Sequence, residues 1–402
     1  MRRTPEPNAL LPREGGERAT FLELFFDLVY VFALTRIGAR AIENLKPGQA
    51  ETWSVVTGAG KTLLLLLALW AIWQGTAWTT SRYDPHRVWL QIIVLTALAG
   101  SMVMGVAVPR AFTDTGLAFA AAYVVSQVSR PAILLVTLRS LQYRRLKQRM
   151  LITFCVTGVL WIGGALLPGV PQVTAWTVAL VLEYLADRFG WPVPGLGRST
   201  VSRWDIHGEH LAERYQQFFL VALGDTILVA GLSYSQGPYS ATRTGAFAAA
   251  GVTSVLLWRI YVQRAGLILA EAVTRSRRPA AIGRSAADSH LVMVVGVVAT
   301  AIGYKLVIGH PTGHGEVSWI VMILGGPALY LAGRARFEYE VFGRVSLARW
   351  VSILVLVALI PLLARAAPLV SAAAAALVLL GVAVADARRA WGRPPEPANP
   401  PF

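Results

Sequence analysis

TLLLLLALWAIWQGTAWTT (62–80), SRYDPHR (81–87) and VWLQIIVLTALAGSMVMGVAV (88–108) follow one another without a break. Each apolar run is close to the roughly 20 residues that a helix needs to cross hydrocarbon. The short piece between them carries Arg82, Asp84, His86 and Arg87. This is the pattern of two lipid-spanning helices joined by a wet loop. The alternation repeats at 20–38, 113–136, 151–167, 171–187, 208–232, 244–270, 288–308, 317–333, 347–364 and 369–386. The chain therefore reads as an all-α polytopic transmembrane bundle of about twelve helices. Two junctions are tight, Pro168-Gly169-Val170-Pro171 and Ala364 to Pro368, and fusion of either pair would lower the count.

Composition agrees. Of 402 residues, 55% are apolar and 15% charged, and the mean hydropathy is +0.53, which does not suit a water-soluble enzyme. Thirteen Trp, 14 Phe and 12 Tyr also exclude a solvated disordered chain. Cys155 is the single cysteine, so neither an intrachain disulfide nor a cysteine metal site can form. The start is polar, and the first apolar run holds Glu23 and Asp27, so no cleavable signal is expected.

The net charge of +15 is explained by where the cations fall. With the N-terminus inside, about 25 of the 37 Lys and Arg lie in alternate, cytoplasmic segments, as the positive-inside rule requires. Both termini are then expected in the cytoplasm, with the bilayer as the partner and no nucleic acid. The expected organisation is a cytoplasmic N-terminal segment at 1–19, a six-helix half at 20–187, a cytoplasmic linker at 188–207, a second six-helix half at 208–387 and a Pro-rich cytoplasmic tail at 388–402. Short matches between the halves, Phe21 to Phe25 with Leu211 to Tyr215 and Trp70 to Trp73 with Trp258 to Tyr261, suggest a parallel internal repeat.

Chemistry in such a protein belongs to ionisable groups inside the spans, because burying an unpaired charge in hydrocarbon is costly. Glu23 and Asp27 open the first helix at i, i+4, and Glu209 and Glu213 occupy the same places in the seventh, with Arg214 beside them. Glu23, Asp27, Glu213, Arg214 and Asp225 are the proton-relay or substrate candidates. Arg130, Arg259, Arg264, His210 and His290 are candidates for holding a substrate, and Glu183 and Asp187, at i, i+4, for holding a metal ion. Blander readings apply to several. Glu23 and Glu209 would favour the positive end of a helix dipole wherever they sat, Arg130 and Arg264 could reach an interface, and Asp225 and Lys305 read by default as a structural ion pair. The Gly296 to Gly303 stretch reads as close helix packing.

FLELFFDLVYVFAL (21–34), HLAERYQQFFLVALGDTIL (210–228), HLVMVVGVVATAIG (290–303) and GGPALYLAGRARF (325–337) resemble the bacterial low temperature requirement A family of polytopic membrane proteins. By that resemblance Glu23, Phe26 and Asp27 match the first-helix signature, and His210, Glu213, Arg214 and Gly224 the second. Asp225 stands where the family usually has Glu. Val262-Gln263-Arg264 leaves Arg264 without the acidic neighbour that the family has, and Arg259 replaces an apolar or aromatic residue. The resemblance names no reaction. Three functions follow from the residues: a proton-coupled secondary transporter of an unknown small molecule, an intramembrane enzyme acting on a lipid or isoprenoid (di)phosphate with Mg²⁺ as its one cofactor, or a non-catalytic scaffold. Transport ranks first.

Overall fold

The computed structural model describes residues 19–43, 45, 52–138, 141–199, 208–263, 268–276, 278–392, 394 and 396–401. The helices are α1 (Phe21–Glu43), α2 (Thr52–Thr80), α3 (Val88–Ala107), α4 (Gly116–Thr137), α5 (Leu141–Ala165), α6 (Val170–Arg188), α7 (Gly208–Ser235), α8 (Ala241–Val262), the short α9 (Leu269–Arg275), α10 (Pro279–Gly309), α11 (Val317–Phe342), α12 (Leu347–Leu362) and α13 (Pro368–Ala390). Among the described residues the only β pairing is an isolated bridge between Val193 and Gly197.

Nine of these helices are long and apolar enough to cross a membrane. The protein is a multi-pass membrane protein. α12, with 16 residues, is a shorter apolar helix. α1 and α6 fall outside the nine because polar residues dilute them: Glu23, Asp27, Arg36 and Arg40 in one, Glu183, Asp187 and Arg188 in the other. Both tight junctions separate real helices. Gly169, at φ 81°, turns the chain between α5 and α6, a backbone shape that L side chains resist, and Pro171 lies in the first turn of α6. Pro368 opens α13 in the same way.

Several helices overrun the expected spans. α5 begins at Leu141 rather than near 151, α10 at Pro279 rather than 288, and α11 continues to Phe342 rather than 333. Hydropathy marks where a helix leaves hydrocarbon, not where its hydrogen bonding stops. α8 errs in the other direction: it ends at Val262, where Gln263 turns extended, rather than running to 270.

The residues form two compact units, Met1–Ile37 with Ala59–Leu211, and Gly38–Gly58 with Ala212–Phe402. In the first unit α3 packs on α4, α4 on α5 and α5 on α6. Phe119, Trp161 and Trp176 stack inside it, and the Trp176 indole N–H donates to the Trp161 carbonyl at 2.9 Å. In the second unit α10 and α11 run backbone to backbone. A methyl group at Gly326 would lie 2.6 Å from the Thr300 nitrogen, so only glycine permits that approach. The tail is tied down there: Arg344 donates to both Glu396 oxygens at 2.6 Å, the Asn399 amide to Val341 at 2.9 Å, and Arg275 to the Ala398 carbonyl at 3.2 Å. Outward faces carry exposed Leu63, Ile92, Leu95, Met102, Val103 and Val106, as lipid-facing surfaces require.

Candidate functional site

A cavity of about 110 Å³ lies within the first unit, walled by residues of α2, α4, α5 and α6 and by the chain just beyond α2 and α6. Its chemistry begins on α4, where Tyr123, Gln127 and Arg130 fall at i, i+4 and i+7 and so share one helix face. Arg130 Nη2 donates to Gln127 Oε1 at 3.0 Å, and Gln127 Nε2 donates to the Tyr123 hydroxyl at 3.1 Å. Tyr123 in turn donates to Glu183 Oε2, and Trp161 Nε1 donates to Glu183 Oε1 at 3.2 Å. Arg130 reaches the cavity because Gly75 of α2 has no side chain: a methyl group there would occupy the place of the guanidinium.

Two further cations line the same space. Lys147, in the second turn of α5, sits 5.8 Å from the Tyr83 ring centre, and Arg82, two residues past α2, sits 4.6 Å from the ring centre of Tyr143 and 5.7 Å from that of Tyr83. Arg130 likewise lies over Phe154 at 5.7 Å. These are cation–π distances, which compensate part of the desolvation of each charge. Arg82, Arg130 and Lys147 are 6%, 4% and 7% exposed, so water does not solvate them as it would at a surface. Among the described residues none of the three makes an ion pair with a carboxylate, and Arg82 Nε, Arg82 Nη2 and Arg130 Nε have no hydrogen-bond partner. Asp187 also lines the cavity, half-buried.

The loop after α6 completes the wall. Trp191 is buried and has φ 57°, a left-handed conformation that is uncommon for a residue with a side chain. Its amide donates to Ala186 at 2.6 Å, and its ring packs on Phe154 with centroids 5.1 Å apart. Arg149 of α5 pins the loop through Ser199 Oγ at 2.7 Å and the Leu196 carbonyl at 3.3 Å.

The candidates read from the sequence separate into two groups. Glu23, Asp27, Arg130, Glu183, Asp187 and His210 belong to the first unit, and Glu213, Arg214, Asp225, Arg259 and His290 to the second. Arg264 lies outside the described residues. Glu23 is the acidic member of a capping box: the Thr20 amide and hydroxyl donate to its Oε2 at 2.8 and 2.9 Å, and its own amide reaches Thr20 Oγ1. His210 stands 3.4 Å from the same oxygen, with Ser81 Oγ 2.9 Å from its Nδ1, all buried. Asp27 is 2% exposed and accepts from Trp73 Nε1 at 2.8 Å.

In the second unit, Gln217 bridges its neighbours, donating to Glu213 at 3.1 Å and accepting from Arg214 at 3.2 Å. His290 is a satisfied core histidine: Nδ1 lies 2.7 Å from the Ala286 carbonyl, Nε2 lies 3.0 Å from the Tyr261 hydroxyl, and the ring stacks on Tyr215. If Nδ1 carries the proton for Ala286, Nε2 accepts from Tyr261 and the ring is neutral. Three expectations need correcting. Arg259 is exposed in the last turn of α8 and not buried within the span. Asp225 is buried, but no ion pair joins it to Lys305 among the described residues. Glu183 does not present free oxygens to a cation, since each one meets a donor, and among the described residues no three His, Cys, Asp or Glu side chains are grouped to hold a metal ion.

In the sequence Arg82 falls in the wet piece 81–87 and Lys147 just ahead of the apolar run at 151–167, so hydropathy places both outside the spans, and Trp191 carries no signal at all. The early start of α5 is what brings Lys147 inward. Arg334, just past the apolar run at 317–333, is fully buried in the second unit and caps the end of α8 through the Ile260 and Gln263 carbonyls, at 3.3 and 2.9 Å.

Residues 18–384 match the family described as bacterial low temperature requirement A protein (LtrA). An uncharacterized protein of Rhizobium meliloti is 32% identical over 324 residues, covering 79% of this chain and 76% of that protein. No solved structure matches. On the extent of the family match and of this relative, the chain belongs to the bacterial low temperature requirement A family.

Proposed function

We propose that the protein is a proton-coupled secondary transporter of an anionic solute in the bacterial cytoplasmic membrane, with both termini in the cytoplasm. The observation that carries this reading is that Glu183 and three cations without a carboxylate salt bridge border one cavity in the first unit. The groups facing Glu183 are Tyr123 and Arg130 on α4, Lys147 on α5, Arg82 and Tyr83 after α2, and Tyr184 and Asp187 on its own helix. With both acids ionised the ionic groups sum to +1, and protonating Glu183 raises this to +2. Proton and anion then favour each other's binding, and linkage makes that effect reciprocal. Burial strengthens the coupling, because charges in a low-dielectric interior are poorly screened. The end of α2, the start of α5 and the end of α6 contribute to the cavity wall, and on the distribution of Lys and Arg these termini lie on the cytoplasmic side in this reading.

The halves 20–187 and 208–387 are the repeated parts in this reading. Tyr330 and Arg334 on α11 keep the i, i+4 spacing of Tyr123 and Gln127 on α4, and all four are buried. The Mg²⁺-dependent enzyme has less support, since its carboxylates are occupied as hydrogen-bond acceptors.

Reconstituted vesicles carrying an interior pH dye provide the test. Wild-type protein is expected to acidify or alkalinise the lumen when an anion gradient is imposed. Glu183→Gln should abolish the pH change while leaving anion exchange at equal concentrations measurable. An anion flux whose proton stoichiometry is the same in both proteins would rule out Glu183 as the coupling group.

A further inference from the structure

The donors around the cavity outnumber its free acceptors, and this narrows the ligand. Beyond Arg82 Nε and Nη2 and Arg130 Nε, the Trp191 indole N–H also lacks a hydrogen-bond partner among the described residues, although the residue is 4% exposed. Lys147 Nζ has only the Met150 sulfur, at 3.9 Å. A buried N–H without an acceptor costs about 1–3 kcal/mol, and more for a charged group, so donors gathered at one cavity favour an acceptor there. Water can answer some of them but brings hydrogens of its own. The left-handed backbone at Trp191 is further evidence of a built site, since that strain persists only where surrounding contacts enforce it.

Resting on the anion-binding part of the reading above, but not on transport, we infer that the cavity binds a phosphate-type tetrahedral oxyanion, free or as the head of a small phosphomonoester or lipid, held by Arg82, Arg130, Lys147 and the Trp191 indole N–H. A tetrahedral group presents three or four oxygens to donors arriving from several helices, whereas a carboxylate presents two in one plane. Arginine suits it because its planar fork matches phosphate geometry. A cavity of about 110 Å³ has room for such a group.

The test is calorimetric titration of the full-length protein in detergent with inorganic phosphate, phenyl phosphate and benzoate, and in nanodiscs with and without phosphatidic acid. Saturable binding of phosphate or phenyl phosphate, at least tenfold tighter than benzoate, is expected. Lys147→Met should weaken it by about ten- to a hundredfold, as loss of a charge-assisted hydrogen bond does. Trp191→Phe keeps an aromatic ring beside Phe154 but removes the N–H together with one ring of the indole, so a loss of about three- to tenfold is expected, read beside the thermal unfolding of the same variant to separate lost donation from lost packing. Competition by phosphatidic acid in nanodiscs would identify a lipid headgroup as the source, and its absence a soluble phosphate; both support the oxyanion. Benzoate binding as tightly as phosphate, absence of binding by wild type, or phosphate affinity untouched in both variants would overturn the inference. Phosphate binding without coupled flux would leave it standing and remove the transport reading.

Discussion

Gly75 shows how much one missing side chain can decide. Arg130 lies across α2 where any Cβ would stand, so the guanidinium and a methyl group compete for one place. Gly75→Ala is expected to displace Arg130 and to weaken anion binding about tenfold or more, the worth of one charge-assisted bond. Gly60→Ala, in the same helix and with open space around it, is the control and should bind as wild type. Equal affinity in the two variants would show that Arg130 does not need that position. At this scale the sequence was partly legible. Asp27, among Phe25, Phe26, Leu28 and Val29, could be read as buried, and it is. Glu23 could be read either as a helix-start residue or as part of a site, and the capping box shows that it is at least the former. Trp191 was not legible, because a strained backbone and an unpaired N–H are properties of a three-dimensional environment that no spacing encodes.

Helices were the most legible level. Twelve apolar runs correspond to the twelve helices longer than α9, since backbone groups in hydrocarbon have to bond within their own segment. Their ends were not legible, for the same reason that Lys147 and Arg334 fall outside the apolar runs: a helix outlasts its apolar stretch whenever the next residues pack against a neighbour. Helix contacts differ in their tolerance, and the α10–α11 seam is the tightest. Gly326→Ala forces a methyl group within 2.6 Å of Thr300 and should destabilise the protein by about 1–3 kcal/mol. Gly251→Ala, exposed on α8 with nothing within 4 Å, should stabilise it by about 0.5–1 kcal/mol by removing a helical glycine. Thermal unfolding in detergent, followed by circular dichroism, gives both signs; a common sign would contradict the account of the seam.

For the molecule as a whole, the relation to the bilayer can be checked with a single thiol. Cys155 is the one cysteine, and it is exposed on α5 near the middle of an apolar span, so its surroundings are acyl chains. A charged, membrane-impermeant maleimide is expected not to label intact or inverted vesicles, since a charged reagent does not enter the acyl-chain region where the thiol lies. Denaturing detergent should expose it to full labelling. Fast labelling in inverted vesicles would place that stretch of α5 in water. Composition showed the solvent of this protein, and the distribution of Lys and Arg suggested its orientation. What neither could show is that the ionisable candidates fall into two separate units, because membership of a unit is fixed by packing between helices far apart in sequence.

The fastening of the last residues has a practical corollary. Glu396, Ala398 and Asn399 reach Arg344, Arg275 and Val341, so the polypeptide leaves α13 along a strap clipped at three points to the second unit. Trimming the gene before codon 394 would strand Arg344 with no counter-charge from the strap and bare the hollow in front of Arg349 and Asp386 that Glu396 helps to wall. Affinity handles and fluorescent reporters are therefore better appended after the strap than substituted for it.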